Sequence, residues 1–152
     1  MKLVSNLNRK NHRNRIVELI SKFDSMVLCS GWMKHAGLKK ILPALKIAQK
    51  ERNAQITIFS NIQHTDKGSI SALSTFKHVL VDEKAKYLHT KLYYFYNEND
   101  FVALIGSANI TLGGLVSNDE LSVEISGAIS SQEHLQVASY MKNLESYIIN
   151  KP

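Results

Sequence analysis

Two neighbouring segments with apolar side chains at nearly every position limit the folds open to this chain of 152 residues. They are YLHTKLYYFYN at 87–97 and DFVALIGSA at 100–108, joined by a short polar link. The short link predicts an antiparallel hairpin. A strand with one solvated face alternates apolar and polar residues, and these strands scarcely alternate. We therefore expect a sheet that is covered on both faces.

Segments with helix and strand character alternate along the rest of the chain. Apolar residues at helical spacing predict a first helix over 11–24. Pro43 must start, kink or divide a second helix, because its ring blocks an interior backbone hydrogen bond. The other expected segments are that second helix at 36–52, helices at 69–76 and 131–149, and strands at 26–33, 55–61, 78–82 and 120–127. The order predicts an α/β fold, a mixed β-sheet flanked by helices on both faces, in one domain over residues 1–152.

Composition and net charge limit the location and the kind of partner that we expect for this protein. No apolar run approaches the roughly 18 residues that span a bilayer, and the N-terminal residues lack the apolar core of a secretory signal. We therefore expect a soluble, cytoplasmic protein without membrane contact. The net charge of +6 favours an acidic or phosphate-bearing partner, although the basic clusters, at 8–15 and at Lys34, Lys39, Lys40 and Lys46, are equally compatible with solvated surface.

His89 and Lys91 stand two residues apart in the first apolar run. The run reads as a strand, so both side chains are expected to project from the same face. A lysine ammonium that is withdrawn from water is costly without compensation. This pair therefore predicts either an exposed strand end or a site for an anion.

Two further polar elements follow at places where strands end or begin. GSAN at 106–109 ends the next strand, and Gly106 permits close backbone approach while Ser107 and Asn109 offer neutral hydrogen-bonding groups. Glu120 begins the strand after it and could hold an imidazole in one tautomer. Each element alone has an ordinary structural explanation, but their order and spacing together predict a cradle for a tetrahedral anion.

The pattern resembles the signature of the phospholipase D superfamily, HxK followed downstream by GSxN, with its closest likeness over about residues 87–127. The matching residues are His89, Lys91, Gly106, Ser107 and Asn109. Many members also carry an aspartate five residues after the lysine, where this chain has Tyr96. The metal-independent restriction endonucleases of the superfamily lack that aspartate and use a later glutamate, which Glu120 matches. The resemblance thus implies a phospholipase D-like fold and the nuclease branch.

The resemblance also implies a mechanism. His89 would attack phosphorus and form a phosphohistidine intermediate. Lys91 and Asn109 would stabilise the charge on the phosphate oxygens, with Gly106 and Ser107 contributing to substrate binding. Glu120 would orient the imidazole, and a second histidine would protonate the leaving oxygen.

Superfamily members with two HxK motifs build one site from both, so the resemblance implies that this single-motif chain forms a two-fold homodimer, with the partner subunit's His89 as the general acid. Neither a metal nor another cofactor is required by this scheme, and the histidines and the lone cysteine show no metal-ligand spacing. We expect cleavage to continue in the presence of a chelator.

The function favoured by this sequence is metal-independent phosphodiester cleavage of DNA, as the catalytic domain of a restriction-type endonuclease. One alternative is a phospholipase or phosphatidyl transferase of the same fold, and another is a non-catalytic nucleic-acid-binding module. No recognition module is evident, so an additional DNA-recognition domain or a motor subunit is a possible partner.

Several other residues permit more than one interpretation. Trp32, Lys34 and His35 could contact DNA, although packing for the first and solvation for the others are simpler explanations. Surface positions are expected for His12, His64 and His134, and core positions for Cys29, Tyr93 and Phe95. Glu124 is expected to be solvated or to lie at the dimer interface.

Overall fold

The computed structural model describes residues 1–7 and 11–149, and its strands form one sheet. The spatial order of the strands is β1-β7-β6-β5-β2-β3-β4. Their bounds are β1 (Lys2–Ser5), β2 (Ser25–Ser30), β3 (Gln55–Asn61), β4 (Lys77–Val81), β5 (Lys91–Tyr96), β6 (Asp100–Gly106) and β7 (Leu121–Ala128). The α-helices are α1 (His12–Lys22), α2 (His35–Leu38), α3 (Leu42–Arg52), α4 (Lys67–Ala72) and α5 (Gln132–Ile149).

The sheet is mixed, as expected. Strands β2, β3 and β4 run parallel, whereas β5, β6, β7 and β1 are joined by antiparallel pairing, which also links β5 to β2. The predicted hairpin is formed by β5 and β6, with Phe95 opposite Val102. The predicted strand over 87–97 is too long, because β5 begins only at Lys91. Edge strand β1 has no counterpart among the predicted segments.

Two of the predicted helices show how local signals set their ends. Asn11 caps α1, because its side chain accepts a hydrogen bond from the Asn14 N–H at 2.9 Å. The segment predicted at 36–52 is divided into α2 and α3, and Pro43 lies in the first turn of α3, where its missing N–H would have no helical partner. Asn53 ends α3 in the left-handed conformation, with φ of 54°.

Both faces of the sheet are covered, and this explains the nearly continuous apolar runs. On one face, Tyr93 and Phe95 pack in a cluster that includes Ile16 of α1 and Leu45 of α3. On the other face, the β5 residues of opposite orientation, such as Tyr94, join a cluster with α5. The core positions expected for Cys29, Tyr93 and Phe95 are confirmed, since all three are at most 1% exposed.

Glu124 lies in neither of the places expected from the sequence. It is 3% exposed and accepts two hydrogen bonds from the Arg15 guanidinium, at 2.5 Å and 2.9 Å. The expectation of a solvated or interface residue is therefore wrong. A buried carboxylate requires a partner, and α1 supplies it from a neighbouring element.

Within the described residues, the structure contains no helix that is both long and apolar enough to cross a membrane. The basic cluster at 8–15 lies partly outside those residues, because 8–10 are not described.

Candidate active site

All the motif segments lie at one edge of the sheet, here meaning the edge formed by the ends of the strands and not an outermost strand. Strand β5 begins there with Lys91, directly opposite Ser30 at the end of β2. Strand β6 ends there with Gly106, opposite Ser122 near the start of β7. Antiparallel pairing brings the start of one strand beside the end of the next, so segments far apart in sequence meet at this edge.

His89 and Lys91 are in contact, but not as neighbours on one strand face. His89 lies in the irregular segment before β5 and is exposed, while Lys91 is the first residue of β5 and is half-buried. The Lys91 ammonium donates to the His89 carbonyl oxygen at 2.9 Å, and its Nζ is 3.2 Å from the ring Nε2. The lysine thus folds back over the imidazole. Burial lowers the pKa of Lys91, and the nearby Glu120 carboxylate opposes that shift.

Two residues that the sequence did not indicate hold the segment that carries His89 in place. The buried Asn61 side chain donates to the Leu88 carbonyl at 2.7 Å and accepts from the Leu88 N–H at 3.0 Å. A Cβ atom at Gly31 would lie 2.2 Å from that carbonyl oxygen, so only glycine permits this approach. The one sequence signal for this role was Asn61 itself, a polar residue at the end of an apolar strand.

Ser107 and Glu120 are joined directly. The Ser107 hydroxyl donates to the Glu120 carboxylate and accepts from the Leu121 N–H at 3.1 Å. At Gly106, a Cβ atom would lie 2.3 Å from both the Leu121 carbonyl and the Ser122 hydroxyl, so a larger residue would separate β6 from β7. Among the contacts of the described residues, none joins Glu120 to His89, the partner expected from the sequence.

Asn109 faces the end of β2. Its Oδ1 atom accepts from the Trp32 N–H at 3.3 Å, and the Ser30 hydroxyl, which donates to the Trp32 carbonyl oxygen at 2.5 Å, lies 3.3 Å away. The same Ser30 hydroxyl accepts from the Ile110 N–H at 2.8 Å, so it ties the GSAN loop to β2 beside Lys91. With Oδ1 used in this way, the Nδ2 donors of Asn109 are suited to an anionic ligand. Ser30 is a further site-supporting residue that the sequence did not reveal.

His12 is fully buried rather than on the surface, so that expectation is wrong. Its Nε2 atom is 2.8 Å from the Ser122 hydroxyl, and its Nδ1 atom is 2.8 Å from Oδ1 of Asn6. Burial lowers its pKa, opposed by the carboxylate of Glu120. His12 therefore holds the start of β7, beside the candidate site, from inside the protein.

The remaining residues singled out in the sequence have different outcomes. His134 is buried, with its Nε2 atom 2.6 Å from the Tyr94 hydroxyl, so a surface position is wrong for it as well. His64 is half-buried and stacks on Trp32, and His35 is half-buried. Burial raises the pKa of the Cys29 thiol to about 12, which makes a reactive thiolate unfavourable. In the part of the chain that the structure describes, no group of three or more histidine, cysteine, aspartate or glutamate residues is arranged to hold a metal ion.

Buried His12 and half-buried His78 predict how stability depends on pH. Burial lowers the pKa of His12 and of His78, so below about pH 6.5 the unfolded chain binds protons that the folded chain does not. The free energy of unfolding should therefore decrease as the pH falls through that value. Urea unfolding at about pH 7.5 and about pH 5 would measure this, and a His78→Gln variant should show a smaller decrease. An equal decrease in both proteins would contradict the assignment to His78.

Together, the mixed sheet and the histidine, lysine, asparagine and glutamate at one edge are features of a phospholipase D type of domain. Residues 10–152 match the family described as the NgoFVII restriction endonuclease N-terminal PLD domain, and the chain belongs to this family. It is accordingly an enzyme of the kind that cleaves phosphodiester bonds. Comparison with curated proteins finds no match.

Solved structures share the fold at low sequence identity. NucT from Helicobacter pylori is 19% identical, with a TM-score of 0.67, and the match covers 95% of each chain. The phospholipase D family member Nuc from Salmonella typhimurium is 18% identical, with a TM-score of 0.69, over 96% of this chain and 91% of that one. Polyphosphate kinase from Porphyromonas gingivalis is 12% identical, with a TM-score of 0.62, over 93% of this chain and 22% of that one. These likenesses concern the fold, which hosts more than one chemistry.

Proposed function

We propose that this domain hydrolyses DNA without a metal ion, through a covalent intermediate on His89. The observation that carries the proposal is the exposed His89 imidazole with the Lys91 ammonium folded over it, at an edge that also holds Asn109 and the Ser107–Glu120 pair. Membership of a family named for a restriction endonuclease supports DNA as the substrate.

In the first step, a ring nitrogen of His89 forms a bond to phosphorus as the bond to the leaving oxygen breaks. Negative charge on the non-bridging oxygens is stabilised by the Lys91 ammonium and by the Nδ2 donors of Asn109. Removing one such donor commonly costs roughly 10²- to 10³-fold in rate. The leaving oxygen receives a proton, because an alkoxide is a poor leaving group.

Glu120 has a different contact from the one expected. Its carboxylate is bonded to Ser107, and its charge favours the protonated form of Lys91. We therefore assign Glu120 a positioning and electrostatic role at this edge. It holds the end of β6 against the start of β7 and helps Lys91 to remain a cation.

The proton for the leaving oxygen requires a second acid. The chain has one HxK motif, and we assign this role to the partner subunit's His89 in a two-fold dimer. In the second step, water attacks phosphorus, the bond from phosphorus to the His89 nitrogen breaks, and the partner subunit's His89 accepts a proton from that water. Both imidazoles then return to their starting states. Sedimentation velocity would test the dimer directly.

The family description places the PLD domain at the N-terminus of a restriction endonuclease. We propose that recognition of a DNA sequence comes from an additional domain or subunit, because sequence readout needs an element that reaches base edges.

The proposed function predicts cleavage of a supercoiled plasmid at low salt in excess EDTA. Agarose electrophoresis should show nicked or linear DNA, and acid-sensitive labelling of the protein by phosphorus-labelled DNA should accompany turnover. Turnover of phosphatidylcholine vesicles should be absent. Binding of the plasmid without cleavage under any condition would favour a non-catalytic module, and lipid turnover without DNA cleavage would favour a phospholipase.

A further inference from the structure

Two large aromatic side chains beside the candidate active site contribute to neither hydrophobic cluster. Trp32 is 40% exposed and Tyr87 is 44% exposed, and both are absent from the clusters on the two sheet faces. Packing therefore does not account for them. Exposed aromatic residues held in fixed positions are typical of binding surfaces.

The two rings belong to one ordered group. Trp32 stacks on His64 with ring centroids 4.2 Å apart and an angle of 8° between the planes. The indole N–H of Trp32 donates to the Tyr87 hydroxyl at 2.9 Å. His64 is also in contact with Glu83, with Nε2 2.8 Å from the carboxylate. The aromatic surface formed by Trp32, His64 and Tyr87 is thus already arranged before any ligand binds.

This aromatic surface is continuous with the catalytic residues at two points. The Tyr87 ring lies 5.6 Å from the His89 ring, with 29° between the planes. The Trp32 backbone N–H donates to Asn109 at 3.3 Å. A phosphate at His89 and Asn109 would therefore lie beside these rings.

A positive charge accompanies the rings. The Lys34 ammonium lies 5.6 Å from the centroid of the Trp32 ring. A half-exposed ammonium on a flexible stem can leave the indole for a phosphate of the same strand. An aromatic face beside a cation fits a nucleotide, which presents a π-face and a phosphate together.

We propose that the aromatic surface of Trp32, His64 and Tyr87 binds an unpaired base next to the scissile phosphate, so that the domain prefers single-stranded DNA. The inference rests on the proposed function and deepens it. In a duplex, each base already has its faces covered by neighbouring base pairs, whereas an unpaired base can stack on a protein ring. Duplex DNA would enter productively only where a base is unstacked.

Trp32 is the only tryptophan in the chain, so its fluorescence reports on this surface directly. The experiment uses a His89→Asn variant, which cannot form the phosphohistidine, with a fluorescein-labelled 12-nucleotide single strand and with the same sequence as a duplex. Anisotropy of the label measures binding, and tryptophan emission measures contact with Trp32. We expect the single strand to bind more tightly and to quench the emission, whereas the duplex leaves the emission nearly unchanged.

Substitutions in the same background provide the second readout. Trp32→Leu should weaken single-strand binding about tenfold, because it removes one base-stacking partner. Trp32→Phe keeps a π-face and should bind within about threefold of the parent. Ile47→Ala removes an apolar side chain that is 51% exposed on α3 and should bind within about twofold. Tyr87→Leu is the second test should Trp32→Leu fail to fold, and it should weaken binding by several-fold.

Several results would overturn the inference alone. They are single-strand binding with unchanged tryptophan emission, unaltered binding by Trp32→Leu, and equal affinity and quenching with the duplex. In each of these cases, EDTA-resistant cleavage by the unsubstituted chain would leave the proposed function intact. Absence of both DNA binding and cleavage would overturn the proposed function and this inference together.

Discussion

Replacing His89 with alanine should lower the single-turnover rate of DNA cleavage in EDTA by at least roughly 10³-fold, because it removes the atom that attacks phosphorus. DNA affinity should change much less, since Lys91 and Asn109 remain. Quench-flow or manual sampling with end-labelled DNA measures the rate, and anisotropy measures the affinity. The covalent protein–DNA adduct should also disappear.

A second histidine provides the control for this substitution. His78 lies on edge strand β4, with its Nε2 atom 2.7 Å from the Ser60 hydroxyl, and His78→Gln retains a hydrogen-bonding group there. Its cleavage rate should stay within about threefold of the parent. Added imidazole should partly restore cleavage by His89→Ala, because it can occupy the vacated space as a nucleophile. Full activity of His89→Ala would show that another residue attacks phosphorus.

Replacing Arg15 with methionine should destabilise the fold by about 3–5 kcal/mol, because it leaves the buried Glu124 carboxylate without its partner. The guanidinium donates two hydrogen bonds to that carboxylate, which is 3% exposed. Urea unfolding followed by circular dichroism measures the free energy of unfolding. The effect should be large because α1 and β7 each contribute one half of the pair, so the remaining charge cannot reach water without moving an element.

An exposed pair on the same helix provides the matched control. Lys22 and Glu18 of α1 are 3.2 Å apart, but both side chains are at least half exposed. Lys22→Met should therefore change the free energy of unfolding by less than about 1 kcal/mol. The double variant Arg15→Met/Glu124→Leu should recover much of the lost stability, because no buried charge remains. A small effect of Arg15→Met alone would show that water or another group solvates Glu124.

Much of the architecture was accessible from the sequence because its signals are local. The apolar run of β5 and β6 indicated a sheet covered on both faces, and the short link indicated antiparallel pairing, both of which the structure confirms. Pro43 indicated that a helix starts, kinks or is divided near it, and the structure begins α3 there, since the restriction acts within one residue. Strand β1 was missed because four residues carry too weak a pattern, and its pairing with β7 is made across most of the chain.

The candidate site, like the fold, could be predicted from the sequence only in part. The identities of His89, Lys91, Asn109 and Glu120 could be read as a motif, because their residue types and order lie in the sequence. The residues that hold them in place could not be identified in this way. Asn61 fixes Leu88 from 27 positions away, and His12 reaches Ser122 across 110 positions. Hydrogen bonds between such distant residues leave no periodic trace in the sequence.

The sequence by itself determined which residues are candidates for phosphodiester chemistry and that the sheet is covered on both faces, because residue type and hydrophobic spacing are properties of short segments. Only the tertiary structure decided that His89 precedes the strand rather than belonging to it, that Glu120 binds Ser107, and that Glu124 is paired with Arg15. The physical reason is that burial and hydrogen-bond partners depend on which elements become neighbours. That is fixed by packing of the whole sheet and its helices, not by any one segment.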